Sequence, residues 1–183
     1  MQLLLTLLLA HLFADFPLQS NGLARFKSTH LAGVLLHALI YTIVTALLIE
    51  RWVTYWPLVI GLGIVHFAID ALKPRLCRGL NAFCAFLFDQ SLHLATMIVA
   101  AWCAHQCWQP IPAGLIPQDW LLYTLFAALL PALMVGYWVW ATSSGRKNVI
   151  RHTWLTPLDS RTLVIEQRFG LVLLGVIILV FVR

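Results

Sequence analysis

Apolar residues run along this chain in six long windows, at about Gln2–Leu18, Leu31–Ile49, Trp52–Leu72, Asn81–His105, Trp120–Ala141 and Thr162–Val182. The runs are continuous rather than alternating, which predicts helices and not the strands of a barrel. A helix needs about 20 apolar residues to cross a bilayer. The pattern therefore predicts an all-α, polytopic membrane helix bundle of about six transmembrane helices, the first of them short for a full span. Residues 1–183 form a single integral membrane domain on this pattern, with motif-bearing helices within 1–105 and scaffold helices within 118–183. Pro131 predicts a kink in the fifth helix, and Pro110, Pro112, Gly114 and Pro117 predict a turn-rich loop over Gln109–Asp119.

Composition excludes the main alternatives. The chain is 61% hydrophobic and 10% charged, whereas soluble domains carry about 45–50% apolar and about 25% charged residues. Disorder requires low hydrophobicity, so it is excluded as well. The N-terminus lacks a basic n-region and an A-x-A-like site, and His11 and Asp15 interrupt it, so it does not read as a cleavable signal peptide. The four cysteines suggest no disulfide framework. Cys103 and Cys107, one turn apart, read as small packing residues before they read as a thiol site with His105.

A net charge of +5 would suggest nucleic acid in a soluble protein. Here the basic residues lie between apolar windows and act as topology signals, so no nucleic-acid partner is expected. Arg25 and Lys27 follow the first window; Lys73, Arg75 and Arg78 the third; Arg146, Lys147, Arg151 and Arg161 the fifth. The other connections offer only Arg51, beside Glu50. The positive-inside rule then places the odd-numbered connections in the cytoplasm and both termini outside. Trp52, Trp56, Trp102, Trp108 and Trp120 cluster at the outer boundary on this orientation.

The chain has seven acidic residues, and three lie one helical turn from a histidine inside an apolar window: His11/Asp15, His66/Asp70 and Asp89/His93. Spacing of i,i+4 puts each pair on one helix face. The order reverses on the fourth window, which runs antiparallel to the first and third. All three aspartates therefore fall nearer the cytoplasm, with the histidines roughly 6 Å deeper. Such a match predicts a shared site on neighbouring helices, with a layer of carboxylates above a layer of imidazoles. Lys73, Gln19 and Gln90 fall beside the pairs, His37 lies deep enough to join the imidazoles, and Glu166 and Arg168 enter the last helix at comparable depth. Any single His–Asp pair is more often structural, and Lys73 also suits a lysine snorkelling to the headgroups. Three depth-matched pairs favour function.

The same strings resemble a family of small bacterial membrane proteins known as domain of unknown function 3307. The matching residues are His11-Leu-Phe-Ala-Asp15-Phe16 with Gln19, then Lys27 and His37, then His66-Phe67-Ala-Ile-Asp70 with Lys73, then Phe88-Asp89-Gln90 and His93. They cover the first four windows, about half the chain. The family tends to carry an adjacent Glu-Arg near its final helix, where this sequence has Gln167 between Glu166 and Arg168. The resemblance implies a multi-pass protein of the bacterial inner membrane and marks the motif residues as a signature. It implies no activity.

Function must come from the residues. Imidazole and carboxylate are ligands for zinc first, and for iron or manganese. A divalent metal held by His11, His66, His93 and His37, with Asp15, Asp70, Asp89 and Lys73 as catalytic groups, points to a metal-dependent hydrolase. Opening toward the inner leaflet, such a site suits a membrane lipid, or a lipid-linked ester or phosphoester, with Lys73 on a phosphate or headgroup. Transport or relay of metal ions or protons is the alternative, and a non-catalytic scaffold of structural His–Asp pairs is the third. No Gly-rich phosphate loop, H-E-x-x-H string or Ser–His–Asp arrangement is apparent.

Overall fold

A computed structural model describes residues 1–143, 168, 171–177 and 179–180. Six helices are complete within that range: α1 (Gln2–Asp15), α2 (Asn21–Thr29), α3 (Leu31–Leu48), α4 (Trp56–Leu76), α5 (Ala82–Cys107) and α6 (Gln118–Ser143). A further helical segment occupies 171–177 and lends Leu174 and Ile177 to the core. Most of the sixth window, Glu166 included, lies outside the described residues.

Five helices fall on the first five apolar windows, with ends set by local chemistry. Pro17 removes an N–H just past α1. Pro57 opens α4 in the first turn, where a missing N–H is tolerated. Asn81 caps α5, its side chain accepting from the Cys84 N–H at 2.8 Å. Helix α2 has no counterpart among the windows. It starts at Ser20, whose hydroxyl accepts from the Leu23 N–H at 3.2 Å, and none of its residues is buried. Helix α6 runs unbroken through Pro131.

Among the described residues, four helices (α3, α4, α5 and α6) are long and apolar enough to cross a membrane. Their faces are inverted relative to a soluble bundle. On α5 the stripe Asp89, His93, Met97 and Ala104 is buried, while Leu94, Ile98 and Trp102 are exposed. On α3, Leu35, Leu39 and Ile43 form an exposed apolar stripe opposite buried His37, Tyr41 and Thr45. Exposed apolar faces this continuous suit lipid rather than water, and they mark a multi-pass membrane protein.

Helix α1 is different. Fourteen residues rise about 21 Å, less than the hydrocarbon core of a bilayer. Every residue from Leu9 to Asp15 is buried, because α3, α5 and α6 all pack against it. It is the central post of the bundle. At its N-terminal end the 108–117 loop folds over the bundle. Glu50 N–H donates to Ala113 O at 2.9 Å, Leu115 N–H to Leu48 O at 2.8 Å, and Gln2 Nε2 to Ile116 O at 3.2 Å. Exposed Trp52, Trp56, Trp102 and Trp120 lie on the segments that meet at this end. The C-terminal end of α1 carries the polar cluster, with α2 beside it.

Candidate metal centre

Four helices deliver the cluster. The i,i+4 pairs place His11 and Asp15 on α1, His66 and Asp70 on α4, and Asp89 and His93 on α5, while α3 contributes His37. All seven side chains are buried. A buried ionisable group in an apolar bundle needs a partner, and here the partners are one another.

The tightest grouping joins α1, α3 and α4. His37 Nε2 lies 3.2 Å from Asp15 Oδ1 and 3.6 Å from Asp70 Oδ2. His66 Nε2 lies 3.6 Å and 3.5 Å from the same two oxygens. The two imidazole nitrogens are 3.0 Å apart. Both imidazole nitrogens therefore face both carboxylate oxygens. A second grouping joins α4 and α5: His93 Nε2 lies 3.9 Å from Asp70 Oδ1 and 3.8 Å from Asp89 Oδ1. Asp15, His37 and His66 are suitably placed to hold one metal ion, as are Asp70, Asp89 and His93, and as are His11, His66 and His93.

The shared site expected from the pairs is present, but its interior is interleaved rather than layered. Asp15 Oδ1 and Asp70 Oδ2 sit among the imidazole nitrogens because His37, His66 and His93 turn Nε2 toward a carboxylate. Helix α5 packs against both α1 and α4, whereas α3 packs between those two and puts His37 at the centre. His11 stands at the side, its Nε2 3.1 Å from Gln90 Oε1 and its Nδ1 3.6 Å from Asp15. Gln90 Nε2 also points to Asp89 at 3.4 Å and Asp15 at 3.5 Å. Tyr41 stacks on the His66 ring, with centroids 4.3 Å apart.

Two lysines cap the cluster. Lys73 Nζ pairs with Asp89 Oδ2 at 2.7 Å, as its place one turn beyond Asp70 suggests. Lys27, on α2, pairs with Asp70 Oδ2 at 2.8 Å and donates to Gln19 Oε1 at 3.2 Å. Read from the residues alone, Lys27 is only a topology signal; its place in the resemblance was the one hint of a site role. Arg168 is exposed rather than buried with the cluster.

Both lysines and Gln19 border two cavities that flank α2. One, of about 340 Å³, reaches Asp15, Asp89 and Gln90 and is walled by Pro131, Val135 and Trp138 of α6. The other, of about 570 Å³, reaches Asp70 past Ser28 and Val34. Away from these cavities the cluster is closed by apolar packing, with Leu7, Val44, Leu48, Val59, Leu62 and Met97 beyond it.

No curated protein and no solved structure matches this chain. The family model described as a protein of unknown function, DUF3307, matches residues 3–122, a stretch that holds all seven cluster residues and both lysines. The chain belongs to that family.

Proposed function

We propose that this protein is a metal-dependent hydrolase of the bacterial inner membrane, acting on a lipid or lipid-linked ester or phosphoester. One observation carries the metal. A tetrahedral ion bound at 2.0–2.1 Å holds its ligands about 3.3–3.4 Å apart. Among Asp15 Oδ1, His37 Nε2 and His66 Nε2 the separations are 3.2, 3.6 and 3.0 Å, and Asp70 Oδ2 lies 3.6 and 3.5 Å from the two nitrogens. Charge points the same way. With neutral imidazoles, three carboxylates against two ammonium groups leave one net negative charge in an apolar bundle. A divalent cation removes it. Zinc suits the nitrogen and oxygen donors best, with iron or manganese as alternatives.

Such an ion supplies Lewis acidity and lowers the pKa of a bound water. The chain's own groups supply the rest. Asp89, whose Oδ2 stays outside that four-atom group beside Lys73, would accept a proton from such a water. Lys73, the more exposed of the two lysines, is placed to hold an anionic headgroup entering by the cavities. The basic residues Arg25, Lys27, Lys73, Arg75 and Arg78 gather at this end of the bundle, which supports a cytoplasmic, inner-leaflet opening.

A non-catalytic scaffold is the second possibility, favoured by the Lys27–Asp70 and Lys73–Asp89 pairs, which tie α2 to α4 and α4 to α5. Transport has less support, since the described residues beyond the cluster form an apolar core and not a polar path. Turnover of a panel of inner-leaflet lipids and lipid-linked phosphates by wild type and Asp70→Asn separates the first two. An enzyme loses turnover in a folded variant. A scaffold shows no wild-type turnover and a lowered melting temperature in the variant.

A further inference from the structure

We infer that the cluster is built for two metal ions, with Asp70 bridging them. This rests on the metal centre proposed above and adds a second site of separate composition. The two oxygens of Asp70 face different ways. Oδ2 faces His37 and His66, while Oδ1 faces His93. Around the second position stand three atoms: Asp70 Oδ1, Asp89 Oδ1 and His93 Nε2. All three are buried, and none has a hydrogen-bond partner among the described residues. Buried polar atoms are rarely left so, and here three of them converge on one point.

Their spacing suits a shared cation. At 3.8 and 3.9 Å, His93 Nε2 is too far from either oxygen for a hydrogen bond. Two donors each about 2.2 Å from a shared cation, at an angle near 120°, stand about 3.8 Å apart. The remaining polar atoms are engaged in ways that leave this position open. Asp89 Oδ2 is held by Lys73 and Gln90, and His11 Nε2 by Gln90, so Oδ1 of Asp89 is aimed inward. A carboxylate with one oxygen on each ion is a common bridge in centres whose metals sit about 3.5–4 Å apart and act on phosphoesters. Two divalent ions take the cluster from one net negative charge to three positive ones. An anionic phosphoester in the adjoining cavity offsets that charge better than a neutral ester does, which narrows the substrate class.

The test is manganese loading of the full-length chain in detergent, with bound metal counted and the Mn(II) resonance spectrum recorded. Wild type is expected to hold two ions per chain with an exchange-coupled spectrum. His93→Ala is expected to hold one, with an isolated six-line signal, and His37→Ala likewise one. His93→Gln serves in its place if the alanine variant fails to run as a compact species. One ion in wild type, unchanged in His93→Ala and lost in His37→Ala, overturns the second site and leaves the first standing. Two ions whose spectrum stays uncoupled overturn the Asp70 bridge. An absence of bound manganese in wild type overturns both sites.

Discussion

Asp70 is the side chain on which the cluster converges: two histidines and a lysine reach its Oδ2, and a third histidine faces its Oδ1. Asp70→Asn keeps the shape and removes the charge. Turnover is expected to fall by about 10–100-fold or more, the scale on which metal sites respond to loss of a supporting group, while the variant still runs as a compact species. Lys27→Met makes a different prediction. Removing one partner of a buried ion pair destabilises by about 3–5 kcal/mol, because the other charge is left uncompensated. Lys27 is itself 15% exposed, so the lower end is expected, and added zinc should restore much of the lost melting temperature by replacing the missing positive charge. A melting temperature that drops and does not respond to metal would contradict this. The three His–Asp pairs could be read from sequence because i,i+4 spacing fixes a shared face wherever the helix lies. Lys27 could not, since its partner is far along the chain and a basic residue in a short connection looks like any other topology signal. His37 was visible by its depth and by its place in the family resemblance.

Among the elements, α2 is the one the hydrophobic pattern did not reveal. With nine residues, partly buried Leu23 and exposed Phe26, it has no apolar run to detect. Its position depends on Gly33 of α3, where a Cβ would run into the backbone of Phe26 and Lys27. Gly33→Leu is expected to push α2 away, destabilise by about 1–3 kcal/mol through overpacking, and draw Lys27 off Asp70. Limited proteolysis near Arg25 and a thermal melt check this. Gly61→Ala is the control, since nothing lies within 4 Å of the added carbon, and it should leave the proteolysis unchanged and the melt no lower. The longer helices were readable because apolar runs and prolines set their limits. Their ends shifted where charge masked the helix: α4 runs on past Leu72 through Lys73, Pro74 and Arg75 to Leu76.

At the scale of the molecule, the cluster sits at one end of the bundle, and the 108–117 loop folds over the other. Among the described residues, four helices are long enough to span, and α1 is buried among its neighbours as a post. Length alone flagged α1 as short, but its burial on all sides is a tertiary fact that a one-dimensional pattern does not carry. The inner-leaflet orientation predicts that a cysteine placed at exposed Ser28, with the native cysteines replaced, reacts with permeant maleimide and not with the impermeant reagent in intact cells. Labelling by the impermeant reagent would reverse the orientation. The central claim, that the buried histidines and aspartates hold a metal, is tested most directly by elemental analysis of protein purified from its own membranes without added metal. Wild type is expected to carry zinc, iron or manganese in at least equimolar amount, and His66→Ala, folded and purified in parallel, to have lost it. Metal-free wild type, or an unchanged metal content in His66→Ala, would contradict the account.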